Sequence, residues 1–231
     1  EEVGRFLTGD RDCAVVEVDA GSEFDVQVTN PELTPDDEVL ASELVTDAAV
    51  ASQVRTIDDI VGENDSTLVF VNTRTTAEGL GSRLKEYGTD IAVHHGSLSK
   101  EERIDVEDRL KSGEIDALMC TSSMELGIDV GSIDHVIQYQ SPREVARLLQ
   151  RVGRAGHTSG EGSRGTVITT RPDDTFEALA IAKMADEGVV EDAAIHHGSL
   201  DTVANQIAGV LMGFGAISAR GCFEIIRRAY P

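Results

Sequence analysis

The chain has 231 residues, 42 acidic against 20 basic side chains and a formal net charge of −22. It is long enough to bury a full core, and its acid excess is unusual for a protein that would hold a polyanion by net charge. No apolar run approaches the ~20 residues of a membrane span and no signal peptide opens the chain, so the expected location is cytoplasmic, with no membrane partner. Cys13, Cys120 and Cys222 are far apart and lack paired spacing; they read as small buried hydrophobes in a reducing cytosol, with no disulfide framework and no metal site. Lysine is confined to Lys85, Lys100, Lys111 and Lys183. A lysine-poor, acid-rich surface is that of halophilic proteins in a salt-loaded cytoplasm, and an acidic interaction surface in an ordinary cell is the second reading. In molar salt the Debye length falls to ~3 Å, so local contacts decide binding.

In chain order, Glu1 to Leu7 predicts a short helix, and a chain that opens inside a helix suggests an excised segment. Two alternating runs follow, residues 13–18 and 24–28, with Asp19-Ala20-Gly21-Ser22 as the turn between them. Pro31 and Pro35 end this passage, and Thr34-Pro35-Asp36-Asp37 has the composition of a helix start. Up to Val61, Val39, Leu40, Leu44, Val45, Ala48 and Ala49 recur at helical spacing with acids outside.

From Thr67 strand and helix patterns alternate. Leu68-Val69-Phe70-Val71 is a continuous apolar run, as expected for a strand buried on both faces of a parallel sheet. A helix is predicted from about Thr75 to Tyr87, stopped by Gly88, and Ile91-Ala92-Val93 forms the next strand. Ser99-Lys100-Glu101-Glu102 has the capping-box spacing for a helix that runs to Ser112-Gly113. Residues 117–120, 135–139 and 166–169 complete the strands. Short connections between alternating elements imply an α/β fold, a doubly wound parallel sheet flanked by helices. Ligands of such sheets sit outside the carboxyl ends of the strands. Beyond it, residues 173–187, 200–214 and 223–229 read as helices, the second with Val203, Ile207, Val210 and Leu211 on one face.

One stretch stands apart, Gln150-Arg151-Val152-Gly153-Arg154-Ala155-Gly156-His157. Its two arginines lie three apart, with a glycine before the second and another beyond it. Arginine offers a planar, permanently charged fork suited to phosphate oxygens, and glycine lets the backbone come close to a ligand. The apolar run Val145 to Leu149 predicts a helix whose end projects these arginines into a cleft. Alone, either arginine reads as a solvated surface residue.

This stretch resembles motif VI of superfamily 2 helicases. Three upstream stretches fall in the order of that family: Leu68-Val69-Phe70-Val71-Asn72-Thr73-Arg74 resembles motif IV, His94-His95-Gly96-Ser97-Leu98 the accessory motif after it, and Thr121-Ser122-Ser123-Met124-Glu125-Leu126-Gly127-Ile128-Asp129-Val130 motif V. The wordings His-His-Gly-Ser, Met-Glu-Leu-Gly-Ile-Asp and Arg-Ala-Gly-His are closest to the large-helicase-related (Lhr) branch. The resemblance implies a connecting segment at 1–35, a second RecA-like motor domain at 36–190 and the start of a winged-helix domain at 191–231, which stops before any wing. It also implies an ATP-dependent DNA or RNA helicase, an ATP hydrolase, in which Asn72, Thr73, Arg74, His95, Gly96, Ser97, Thr121 and Ser122 contact the backbone of a single strand. Backbone contacts carry no sequence code, and Asn72-Thr73 alone reads equally as a helix cap.

By the same resemblance Gly127 and Asp129 sense the nucleotide, Arg154 is the arginine finger on the γ-phosphate, and Gln150 and Arg151 hold the element and its polar network. Most superfamily 2 proteins carry a second Arg where this chain has His157; it either contacts phosphate, orients Arg154 or acts elsewhere. No Gly-x-x-x-x-Gly-Lys-Ser/Thr occurs in the chain, nor an acidic box after a strand. The phosphate cradle and the Mg2+ ligands are therefore expected on an N-terminal RecA-like domain of the same polypeptide, and the chain alone is expected to be inactive towards ATP. The other reading is a free-standing RecA-like nucleic-acid-binding module without its own catalysis. As for the salt-loaded origin, the melting temperature is expected to rise between low and molar potassium chloride; a midpoint that does not rise would remove that reading.

Overall fold

The computed structural model describes residues 2–9, 11–14, 16, 24–125, 131–155, 162–192 and 196–229. In chain order they form helix α1 (Glu2–Thr8), strand β1 (Phe24–Thr29) and helices α2 (Pro35–Glu43) and α3 (Ala48–Gly62). Strand and helix then alternate through β2 (Thr67–Phe70), α4 (Arg74–Tyr87), β3 (Ile91–His94), α5 (Lys100–Lys111) and β4 (Ala117–Cys120). A 3-10 turn at Ser122–Met124 leads towards β5 (His135–Tyr139), α6 (Val145–Val152), β6 (Ser163–Ile168) and α7 (Pro172–Asp186). Helices α8 (Leu200–Phe214) and α9 (Ala219–Ile226) follow. Two compact units result: Gly21–Glu191, and Glu1–Ala20 together with Asp192–Pro231.

Among the described residues of the first unit six strands form one sheet in the order β1-β6-β5-β2-β4-β3, every neighbouring pair parallel. The central strands β2 and β4 are buried along their whole length, as their unbroken apolar runs require. Leu68, Phe70, Leu118, Cys120 and Val136 point to one face, where they pack with Leu110 of α5, Leu148 of α6 and Ala178 of α7. Val69, Val71, Met119, Ile137 and Tyr139 point to the other, against Val54 and Ile57 of α3 and Leu80 and Leu84 of α4. The doubly wound arrangement expected from the alternation is the one observed.

Local signals set most of the element ends. The Ser99 hydroxyl accepts the Glu102 amide at 3.2 Å, and the Glu102 carboxylate accepts the Ser99 amide at 2.9 Å, a reciprocal capping box that starts α5. Thr73 accepts the Thr76 amide at 3.1 Å and starts α4, which ends at Gly88 in the left-handed region, φ 116°. The stretch expected as one helical run to Val61 is two helices instead. Val45 takes a left-handed φ of 51°, and Asp47 accepts the Val50 amide at 2.8 Å and so starts α3 anew. The buried Asp37 carboxylate holds α2 to α3: it accepts Arg55 Nε and Nη2 at 3.0 and 3.1 Å, and the Thr34 amide at 2.7 Å. The Arg55 guanidinium, first among these, lowers its pKa to about 2.

The boundary expected at residue 35 falls differently. β1 pairs with β6 over six residues and so belongs to the sheet rather than to a connecting segment. Its alternation shows why: Phe24, Val26 and Val28 pack on the core beneath α7, while Asp25 and Gln27 are exposed, the pattern of an edge strand covered on one face. The run at 13–18 lies partly outside the described residues, and Cys13, Ala14 and Val16 form no strand. Cys13 is accordingly exposed, contrary to expectation, whereas Cys120 and Cys222 are buried. In the second unit α1 ends at Gly9, φ 62°, where a Cβ would stand 2.0 Å from the Arg228 carbonyl oxygen. α8 matches its expected bounds, while α9 starts four residues earlier than expected, on the Ser218 hydroxyl that accepts the Gly221 amide at 3.1 Å. Among the described residues no single helix is long and apolar enough to cross a membrane.

Gly165 of β6 lets α6 lie directly on the sheet. A Cβ there would stand 2.8 Å from Val152 Cγ2 and 3.2 Å from the Val136 carbonyl oxygen. Gly165→Ala is therefore expected to lower stability by about 1–3 kcal/mol, read as a shifted midpoint in urea; an unshifted midpoint would show that α6 yields freely.

Candidate functional site

A permanently charged side chain is buried at the centre of the expected site. Arg151, in the last turn of α6, is 2% exposed. A guanidinium so far from water needs hydrogen-bonded partners on all sides, and three segments supply them. Arg151 Nε and Nη2 donate to Glu125 Oε1 at 2.9 and 2.6 Å. Nη1 donates to Gln138 Oε1 at 2.5 Å and to Asn72 Oδ1 at 3.2 Å. The Phe70 ring lies 5.2 Å below the guanidinium carbon, within cation–π range. Burial lowers the Arg151 pKa and the Glu125 hydrogen bond raises it; arginine stays charged throughout.

The partners carry the network onward. Asn72 directs its amide nitrogen to the Ser141 carbonyl at 2.9 Å. Gln138, an amide within an apolar strand, donates to the Tyr139 and Gln140 carbonyls at 3.0 and 2.9 Å. Asp174 accepts the Ser141 amide at 2.8 Å and the Thr170 amide at 3.0 Å. These bonds hold a β5–α6 loop in which Gln140 and Arg143 take left-handed φ values of 65° and 72°, a strain of about 1–3 kcal/mol each. At the start of α6 the Glu191 carboxylate accepts the Val145 and Ala146 amides at 2.5 and 3.1 Å, and the first of these bonds leads in lowering its pKa.

Arg154 follows α6 and is half-buried. Its Nη2 donates to the Glu125 carbonyl at 2.6 Å, so one residue holds both arginines, Arg151 through its carboxylate and Arg154 through its backbone. Arg147 pairs with Glu144 at 3.2 Å and donates to the Pro142 carbonyl at 3.1 Å. Gln150 is exposed and joins none of these bonds, so the polar network expected of Gln150 and Arg151 together is held by Arg151. Arg151 itself faces the interior rather than the cleft, because Gln138 and Glu125 sit beneath it.

A second cluster forms at the carboxyl ends of β2, β3 and β4. Thr73, Arg74, Gly96, Ser97 and Ser122 are exposed and Thr121 is half-buried. Arg74 Nη1 donates to Ser97 Oγ at 2.6 Å, joining the two expected backbone-contacting stretches. The histidines behave otherwise. His94 is fully buried, its Nδ1 2.9 Å from Ser123 Oγ and its Nε2 3.0 Å from Glu107; burial lowers its pKa, against the opposing pull of Glu107. His95, expected to touch the strand, is 5% exposed and bonds to Glu78 and the Ser97 amide instead. Gly127, Asp129 and His157 lie outside the described residues. Among the described residues no group of three or more His, Cys, Asp or Glu side chains could hold a metal ion.

Sequence reasoning missed Glu125, Gln138, Glu78 and Glu107 as partners. One signal was present: Gln138 interrupts an apolar strand, and a buried polar residue is the informative exception to the burial rule. Arg151→Lys keeps the charge and loses the fork that reaches three partners. It is expected to cost about 2–4 kcal/mol in urea denaturation; a loss below about 0.5 kcal/mol, the size of an ordinary surface change, would show the network to be dispensable.

Residues 52–159 match the family of the helicase conserved C-terminal domain. The ATP-dependent helicase Lhr-Core of Methanocaldococcus jannaschii is 35% identical over 236 residues, covering 100% of this chain and 27% of that protein. The chain thus spans about a quarter of the length of this curated relative. The structure of Mycobacterium smegmatis helicase Lhr bound to ssDNA and AMP-PNP superposes with a TM-score of 0.86 at 36% identity, over 99% of this chain and 30% of that one. The C-terminal domain of the DEAD-box protein Dbp5, at 22% identity and TM-score 0.53, covers 79% of this chain and 95% of that domain and shares the fold alone. With four motifs in order, a RecA-like sheet and relatives matched along the whole chain, the protein belongs to the Lhr-type superfamily 2 helicases, and this chain carries their C-terminal RecA-like domain.

Proposed function

We propose that this chain is the second motor domain of an ATP-dependent helicase that moves along single-stranded DNA or RNA. The observation that carries the reading is the buried Arg151, which joins Asn72 at the strand-contacting end of β2 to Glu125, the residue that also holds Arg154. A displacement on the nucleic-acid side is thereby transmitted to the arginine on the nucleotide side without passing through solvent. The M. smegmatis neighbour, bound to ssDNA and AMP-PNP, supports the same pairing of ligands.

In this reading Arg154 is the arginine finger. The Glu125 carbonyl takes one edge of its guanidinium and leaves the charge half-exposed for a phosphoryl group. Stabilising charge on a transferring phosphoryl group is worth ~10³ to 10⁵ in rate in related NTPases. Bound ATP and Mg2+ supply the scissile phosphoryl group and its counter-charge, with the phosphate cradle and metal ligands on an N-terminal RecA-like domain of the same polypeptide. Gly127, Asp129 and His157 complete the nucleotide side by resemblance, with Arg151 and Gln150 flanking the finger. Thr73, Arg74, Gly96, Ser97, Thr121 and Ser122 present hydroxyl, amide and guanidinium donors to backbone phosphates. α8 and α9 begin a winged-helix domain, and the acid-rich surface is that of a cytoplasmic protein at high salt, where contacts made at short range survive screening.

The test is the nucleic-acid-stimulated ATPase of the full polypeptide in molar potassium chloride, with and without Arg154→Ala. The variant is expected to lose about 10³-fold or more in kcat while its strand affinity persists. Unchanged activity would move the finger elsewhere, and an inactive full polypeptide would favour a binding module without its own catalysis.

A further inference from the structure

We infer that His95 is a positioning residue for the strand-contacting loop, a buried imidazole held in one tautomer whose Nδ1 lone pair fixes the Ser97 amide and so aims the Gly96-Ser97 turn. This rests on the reading of residues 72–74 and 95–97 as a phosphate-contacting surface, and it assigns His95 a task other than touching the strand.

The tautomer follows from the partners at opposite edges of the ring. A backbone amide only donates, so the Ser97 N–H 3.3 Å from His95 Nδ1 requires a lone pair there. A carboxylate only accepts, so Glu78 Oε1 2.5 Å from Nε2 requires a proton there. The amide at Nδ1 excludes a proton there and the carboxylate at Nε2 takes the proton of the other nitrogen, so the two contacts together select the Nε2–H tautomer, the arrangement in which one nitrogen's bond sets the role of the other.

The placement of the two anchors gives the bond its purpose. Glu78 and Arg74 are four residues apart on α4, hence neighbours on one face of that helix, and both grip the same turn: Glu78 through the His95 ring, Arg74 through its 2.6 Å bond to the Ser97 hydroxyl. That hydroxyl accepts from Arg74 and therefore keeps its own proton to donate outward. Gly96 and Ser97 are exposed while the His95 ring beneath them is not. His94 repeats the device towards the interior: Glu107 of α5 takes its Nε2–H, and its Nδ1 faces Ser123, just after β4. The adjacent imidazoles thus fasten one turn to α4, to α5 and to the segment that leads to Glu125. Replacing the His94 ring with an apolar residue would leave the mostly buried Glu107 carboxylate without its partner, which is costly, whereas the exposed Glu78 carboxylate can turn to water when His95 is replaced.

Asparagine and glutamine separate the two edges of the ring. Asn places an amide oxygen near the Nδ1 position and can accept the Ser97 N–H; Gln places an amide nitrogen near Nε2 and can donate to Glu78 but offers nothing to Ser97. Binding of a fluorescent single-stranded oligothymidine to the full polypeptide, at fixed salt, is expected to weaken about tenfold in His95→Gln, the scale of one lost hydrogen bond, and no more than about threefold in His95→Asn. In strand-stimulated ATPase assays His95→Gln is expected to raise the strand concentration for half-stimulation and leave the plateau rate in place. Two-bond 1H–15N spectra of the unmodified ring are expected to show the proton on Nε2, a readout that no variant's folding can obscure. A proton on Nδ1, equal losses in the two variants, or a greater loss in Asn than in Gln would overturn the inference. Arg74→Ala tells the two levels apart: if it binds the strand as wild type does, the phosphate-contacting reading itself fails; if it binds weakly while the His95 variants do not differ, only the role of His95 fails.

Discussion

A guanidinium cannot shed its proton to escape burial, so a chain that buries Arg151 must bring partners to it. Four bonds to Glu125, Gln138 and Asn72, with the Phe70 ring beneath, meet that demand. They draw together the ends of β2, β4 and β5 and the helix that precedes Arg154. Removing one partner would leave charge or amide groups stranded without water, whereas exchanging the whole set for apolar residues would cost less but sever the connection. The network is therefore weak evidence for stability and strong evidence for specificity of arrangement.

The scaffold positions this network by ordinary means. β2 and β4, apolar apart from Thr67, are buried on both faces and bring Asn72 and Thr121 to the same edge of the sheet. Gly165 lets α6 approach closely enough for Arg151 to reach Gln138. The left-handed residues Gln140 and Arg143 turn the chain sharply from β5 into α6, and Asp174, Asn72 and Gln138 clamp the carbonyls and amides between them. Strain at this loop is sustained because the surrounding bonds over-determine it.

In the proposed function, a net charge of −22 is at odds with strand binding only if binding is a matter of the whole field. The cationic groups here act at hydrogen-bond range and are held by acidic residues: Arg151 by the Glu125 carboxylate, Arg154 by the same residue's backbone carbonyl, and, in the inferred arrangement, the loop beside Arg74 by Glu78 through His95. Acidic residues thus serve as internal anchors that aim donors, a use of charge that screening at high salt leaves largely intact.

Much of this was legible in the chain itself. The switch from helical spacing to short apolar runs announced a doubly wound sheet, Ser99, Thr73 and Gly88 marked helix ends, and the string around Arg151 and Arg154 marked the candidate site, because these features depend on neighbours within a few positions. Tertiary structure decided what depends on distant ones. β1 was placed outside the domain because an edge strand is recognised by its partner, β6, nearly 140 residues away. Asn72 and Arg151, 79 positions apart, and Gln138 and Glu125 carry no shared periodicity that could have paired them. The inward turn of His95 likewise hangs on Glu78, which a reading of the His-His-Gly-Ser string has no means to place. The sequence by itself determined which segments are strands and helices and where the arginine, glycine and hydroxyl residues of the candidate site gather; only the fold decided which of them face solvent and which are held beneath, since that follows from which chain segments meet across the sheet.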